Sequence, residues 1–273
     1  MKLYILYAIG LALLLTSCNK AMDGELLSEE VSIPIRFALH ADTRAPVGSI
    51  TSANLSSVGI YGVTEGSTLG QFPWTTTPFA SNLVPSAING NQLSFATTLY
   101  YPPGGKRVKF YGYYPRTTTT SGANYITAPG NGTAPVYNFT LTGQEDIMQA
   151  VATPSGSTAP ATVALTFTHK LTQIQLNVSV LGSLLTSIKL LAVKNSGSMN
   201  IETGVVTYGA STSDMTFTLP YLLAPTTNPL MVPADVTSYT VEASLTGLVP
   251  IKRYLITSTT GTFKAGVVYT INL

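Results

Sequence analysis

Two side chains in this chain of 273 residues stand apart for the covalent chemistry their surroundings suit, Cys18 first among them. One early charge, Lys2, precedes the apolar run Leu3–Leu15, which ends in Leu15-Thr16-Ser17-Cys18. That is the layout of an export signal, with a cysteine at the cleavage point in place of a pair of small residues. Cys18 is the only cysteine, so neither a disulfide nor a cysteine-based zinc site can form. The apolar stretch is too short to cross a bilayer comfortably. A thiol at this position reads as an acylation site that ties the mature N-terminus to a membrane. The second is Arg44, set in Asp42-Thr43-Arg44-Ala45-Pro46, a sequence suited to an exposed loop.

The remaining reactive types do not converge. The two histidines, His40 and His169, are far apart and lack metal-ligand spacing, so no metal site is expected. His169 reads as a structural, hydrogen-bonded histidine near a junction between domains. Glu145 and Asp146 are adjacent, and in an extended segment they point to opposite faces, a poor arrangement for paired acid–base work. There is no G-x-S-x-G elbow, and Gly104-Gly105-Lys106 lacks the spacing of a phosphate loop. The chain therefore reads as a non-enzyme without a cofactor. The triplets at Asn54, Asn131, Asn138 and Asn177 fit the glycosylation pattern but are expected by chance in so Asn/Ser/Thr-rich a chain.

Composition narrows the partners. Charged residues make up 10% and the formal charge is +2 without clusters, which points away from nucleic acid. An aromatic group, Tyr100, Tyr101, Tyr111, Tyr113 and Tyr114 with Phe72 and Trp74 upstream, has two readings. Trp74, Tyr111 and Tyr113 could be ligand-stacking rings on an exposed face, or core filling.

The elements that must carry these residues are strands. Val31, Ile33, Ile35, Phe37 and Leu39 share one face of an alternating segment. Ile174–Val180, Tyr239–Leu245 and Val267–Leu273 repeat the pattern, and about eight further short runs do so less strongly. Among them are Gln92–Leu99, Arg107–Tyr114 and Thr162–Phe167. Pro34 suits an edge strand, because it cannot donate to a central ladder. Gly, Pro and Asn separate the runs, and the mature part shows no helical period with caps. The expected class is all-β, built of sandwiches. Ala152–Pro160 is the best linker by composition. The expected division is 1–17 signal peptide, 18–44 leader with the first strand, 45–155 N-terminal β-sandwich and 156–273 C-terminal β-sandwich.

Seven motifs in order resemble the fimbrillin family of Bacteroidales, the subunits of type V pili. They are Leu15-Thr16-Ser17-Cys18, the strand Val31–Leu39, Thr43-Arg44-Ala45-Pro46, Phe110–Pro115, Asp146–Ala150, Phe167–Leu171 and Phe263–Ile271. The resemblance implies two tandem transthyretin-like β-sandwich domains and a lipoprotein precursor carried to the outer membrane through the lipid on Cys18. It implies that a trypsin-like processing protease cuts between Arg44 and Ala45, releasing the strand that carries Val31, Ile33, Ile35, Phe37 and Leu39. A strand from another fimbrial subunit then fills the groove, and the product is an extracellular fimbrium. Pro46 stands two residues past the arginine and leaves the bond open to such a protease.

Stalk subunits of that family carry an extra C-terminal donor segment, whereas here Val267–Leu273 is the final run, which suggests a tip or minor subunit. Two alternatives within the family are a last strand that itself swings out as donor, and an uncleaved pilus anchor. Outside it stands a surface glycan-binding lipoprotein. If Cys18 is acylated, Cys18→Ala is expected to abolish palmitate incorporation and to move the protein out of the membrane fraction, as read by metabolic labelling and fractionation.

Overall fold

The computed structural model describes residues 32–41, 50–177, 185–218, 230–245 and 248–272. Cys18, Val31, Arg44 and Ala45 lie outside them. The described chain is all-β, as the alternation predicts, with one short 3-10 turn at Leu55–Ser57. The strands of the first part are β1 (Phe37–Ala41), β2 (Gly59–Thr64), β3 (Ala80–Leu83), β4 (Ala87–Asn89), β5 (Gln92–Ser94) and β6 (Arg107–Tyr114). There follow β7 (Tyr125–Ile126), β8 (Val136–Thr140), β9 (Met148–Val151), β10 (Ser155–Gly156) and β11 (Val163–His169). The second part holds β12 (Thr172–Asn177), β13 (Leu185–Val193), β14 (Ser196–Asn200), β15 (Val206–Tyr208) and β16 (Ser213–Thr218). It closes with β17 (Leu230–Val232), β18 (Ser238–Leu245), β19 (Leu248–Thr257) and β20 (Val268–Asn272).

A nine-stranded sheet runs in the order β3-β2-β6-β9-β11-β1-β5-β4, with β10 also on β6. It folds over on itself. The Phe37 ring of β1 meets the Phe110 ring of β6, a strand three places away in that order. Ile35, Phe37, Leu39, Ile60, Leu93, Val108, Phe110, Met148, Val163, Leu165 and Phe167 form the core between the two layers. In β11 the pattern is strict: Val163, Leu165, Phe167 and His169 are buried and Ala164, Thr166 and Thr168 exposed. That is the period of two expected when one face lies on a core.

The other sheets are β17-β12-β20, β16-β13-β18-β19 and β15-β14-β8-β7. They share a second core that also receives Tyr61, Val63, Trp74, Tyr111 and Tyr113 from the first part. β11 lies beyond the Ala152–Pro160 stretch yet returns to the first sheet, pairing with β1 and β9. β14 pairs with β8, so strands from both parts meet in one sheet. Among the described residues β20 joins only β12, in parallel, at a sheet edge.

Two expectations about the first strand are corrected. The regular ladder covers Phe37–Ala41 rather than the whole of Val31–Leu39. The strand is also interior, not an edge: β11 flanks it on one side and β5 on the other. Pro34 is tolerated because it precedes the ladder, forming only an isolated bridge to Tyr100.

Close packing of β2 on β6 depends on glycine. Gly59 stands opposite Tyr113, and Gly62 opposite Phe110. A Cβ on Gly59 would sit 2.1 Å from Tyr113 Cε1. The Tyr113 ring is fully buried, and its hydroxyl donates to Asn82 Oδ1 at 2.8 Å, so it cannot swing aside freely. Gly59→Ala is therefore expected to lower stability by about 1–3 kcal/mol through overpacking, read from a urea midpoint at unchanged slope.

Candidate functional site

The site is the seat of residues 33–41. Alternation puts Ile33, Ile35, Phe37 and Leu39 on one face. Ile35, Phe37 and Leu39 are 7%, 2% and 6% exposed, and Ile33 packs partly buried beside them. Arg36 and His40, on the other face, are exposed. The fifth apolar position of the expected strand, Val31, lies outside the described residues.

Both edges of this segment are hydrogen-bonded. On the antiparallel side the Ile35 amide donates to Leu99 O at 2.8 Å and the Leu39 amide to Asn91 O at 2.7 Å, while Ile33 O accepts from the Tyr101 amide at 3.1 Å. On the parallel side Phe37 to Ala41 stand in register with Val163 to Phe167, and Val163 N–H donates to Arg36 O at 2.8 Å. Two clefts flank the strand. One, of about 370 Å³, is lined by Ile35, Phe37, Leu93, Phe95, Leu99 and Thr162 among others. The other, of about 280 Å³, lies against Ile33, Pro34, Arg36 and Pro160–Thr162.

Phe37 is the deepest element. Its ring lies edge-on to Phe95 at 5.0 Å and 65°, and to Phe110 at 4.8 Å and 79° between centroids. Phe79 stands edge-on to Phe110 in turn, at 6.1 Å. Edge-to-face pairs of this kind add about 0.5–1.5 kcal/mol each beyond the area they bury. Leu93 and Val163 oppose Phe37 on its two neighbouring strands.

The other candidate residues are placed elsewhere. Cys18, Arg44 and Ala45 lie outside the described residues. Trp74, Tyr111 and Tyr113 are 3%, 0% and 0% exposed, which corrects the ligand-stacking reading: their faces are covered by protein. Trp74 packs on Tyr111 and Tyr61 at 5.2 and 5.9 Å. Its Nε1 donates to Glu202 Oε2 at 3.1 Å, tying the first part to the turn after β14. Burial pushes the Tyr113 phenol up to about 12. Burial, with the Glu202 carboxylate close by, pushes that of Tyr111 upward as well.

His169 is structural, as expected. Its Nδ1 lies 2.9 Å from Asp146 Oδ1, with both side chains fully buried. Glu145 turns the other way, its Oε2 accepting from the amides of Thr142 and Gly143 at 2.7 and 3.0 Å. Among the described residues, no three His, Cys, Asp or Glu side chains gather as a metal site would require. Residues that sequence reasoning did not single out are three walls of the seat, Leu93, Phe95 and Val163; the fourth, Phe110, enters only within the Phe110–Pro115 motif. Apart from that motif, the only signal for them is the strand pattern of Gln92–Leu99, Arg107–Tyr114 and Thr162–Phe167. Truncating the deepest residue, Phe37→Ala, is expected to destabilise the protein by about 3–5 kcal/mol, whereas Arg36→Ala on the solvent face should change it by less than about 0.5 kcal/mol, both read by denaturant titration.

A family model described as fimbrillin-like matches residues 43–273. Among solved structures, the chain is similar to a candidate cell adhesion protein of Bacteroides uniformis, at 19% identity and a TM-score of 0.57, over 88% of this chain and 93% of that one. It is similar to a further candidate cell adhesion protein, from Bacteroides ovatus, at 17% identity and TM-score 0.54, over 88% and 92%. A fimbrial protein of Bacteroides vulgatus aligns at 14% identity and TM-score 0.51, over 87% and 95%. No curated protein matches the chain. At these identities the structures speak for a shared fold, whereas the family model covers most of the chain's own sequence: the chain belongs to the fimbrillin-like family.

Proposed function

We propose that this protein is a structural, adhesive subunit of a type V pilus. On this reading it is exported as a lipoprotein through Cys18, held at the outer membrane, and cut between Arg44 and Ala45 by a trypsin-like protease. The first strand then leaves, and a strand of another fimbrial subunit takes its place. Membership of the fimbrillin-like family supports the coarse role of a surface pilus or adhesion subunit. The similarity in fold to a fimbrial protein and to candidate adhesion proteins agrees with it. The two tandem sandwiches implied by the family remain part of this proposal.

The observation that supports strand exchange is the seating of residues 33–41. A short segment near the start of the chain lies in the sheet interior, bonded on both edges, with an apolar face in the core. Only Asp42 and Thr43 separate its end at Ala41 from Arg44. Three side chains there are fully buried, each worth about 1.5–3 kcal/mol. Emptying the seat would expose that surface together with two unpaired strand edges, and such a slot binds a replacement strand through main-chain bonds and alternate side-chain pockets.

The test is digestion of the purified precursor with a trypsin-like protease, followed by mass spectrometry and size analysis. A cut after Arg44, loss of the leader segment and growth of ordered multimers is the expected result. An Arg44–Ala45 bond that resists, or a cut chain that keeps its leader and stays monomeric, would overturn the reading.

A further inference from the structure

Resting on the strand-exchange reading above, we infer that the seat is selective for phenylalanine at one position. The incoming strand must place a Phe ring where Phe37 now lies, whereas the positions of Ile35 and Leu39 take ordinary aliphatic side chains.

The argument is one of shape and polarity. The Phe37 position is closed by Phe110 and Phe95, each meeting the ring by its edge, and by Leu93 and Val163 opposite it on the two neighbouring strands. It is 2% exposed. A leucine there has no edge to offer the two rings and leaves part of the volume empty, a loss that grows with the void. A tyrosine fills the volume, but Phe110, Phe95, Leu93 and Val163 offer its hydroxyl no partner, and an unpaired buried hydroxyl is penalised. Ile35 and Leu39 carry no ring and so take no part in the edge-to-face pairs, which leaves shape a weaker constraint on the residue there. The resulting signature is an alternating strand with one phenylalanine in the seat register. It is narrower than alternation alone, and it specifies a class of partner segment.

The experiment uses the full chain, purified in detergent and cut with a trypsin-like protease, and fluorescent peptides of the sequence of residues 31–41. The parent peptide is compared with its Phe37→Leu and Phe37→Tyr variants. The parent is expected to bind at least about tenfold more tightly than either, since loss of two edge-to-face contacts is worth on the order of a tenfold change in affinity. In the chain, Phe95→Leu alters a half-buried wall residue that the fold can spare, and it should shrink the Phe-over-Leu ratio without abolishing capture. Equal capture of all three peptides, or a ratio that Phe95→Leu leaves unchanged, would overturn the inference while leaving strand exchange standing. Failure to capture any peptide after the leader has been released would remove the strand-exchange reading, and the inference with it.

Discussion

Residues 33–41 hold together two parts of one sheet that make no ladder with each other. β11 bonds to one edge of the segment and β5 to the opposite one, so among the described strands the β4–β5 hairpin reaches the rest of the sheet only through β1. The same segment supplies Phe37, whose ring meets Phe95 on the hairpin side and Phe110 across the core. One strand thus supports both the lateral continuity of the sheet and the closure of the layers over it. The Gly59–Tyr113 and Gly62–Phe110 pairs act in the same direction, because they let β2 lie close against β6.

A second set of contacts binds the two parts of the chain. Trp74 reaches Glu202, β8 pairs with β14, and the His169–Asp146 pair is buried where β11 ends, a few residues before β12 begins. The His169–Asp146 pair is fully buried, where an unsatisfied donor or acceptor would be out of contact with water, and the Trp74–Glu202 bond is part-buried. The chain has few charges to spend on such links, and polar neutral side chains and main-chain ladders carry most of the rest.

Local pattern carried the fold class a long way. Alternation marked Gln92–Leu99, Arg107–Tyr114 and Thr162–Phe167 as strands, and it marked the inward face of the first segment. It did not show that Phe37 pairs with Val163, since contacts across so many residues leave no local trace. It also misled at Tyr111 and Tyr113. Alternation in β6 says that two faces differ, not that one is wet, and here one face lies on each of two cores. The edge assignment of Pro34 failed for a related reason: proline reports a missing donor at one residue, and the ladder begins only after it. Cys18 and Arg44 stand out through their neighbours in sequence alone, and both lie outside the described residues.

The strand's two neighbours run in opposite senses. β11 is parallel to it and β5 antiparallel. Turning the strand end for end would only swap which ladder is parallel and which antiparallel, and the count of main-chain bonds would stay nearly level. The backbone of this slot is therefore close to blind to direction. Phe37 stands midway between two aliphatic residues, Ile35 and Leu39, so the large ring sets the register of a strand in this slot, and its direction is left to the residues outside that triplet.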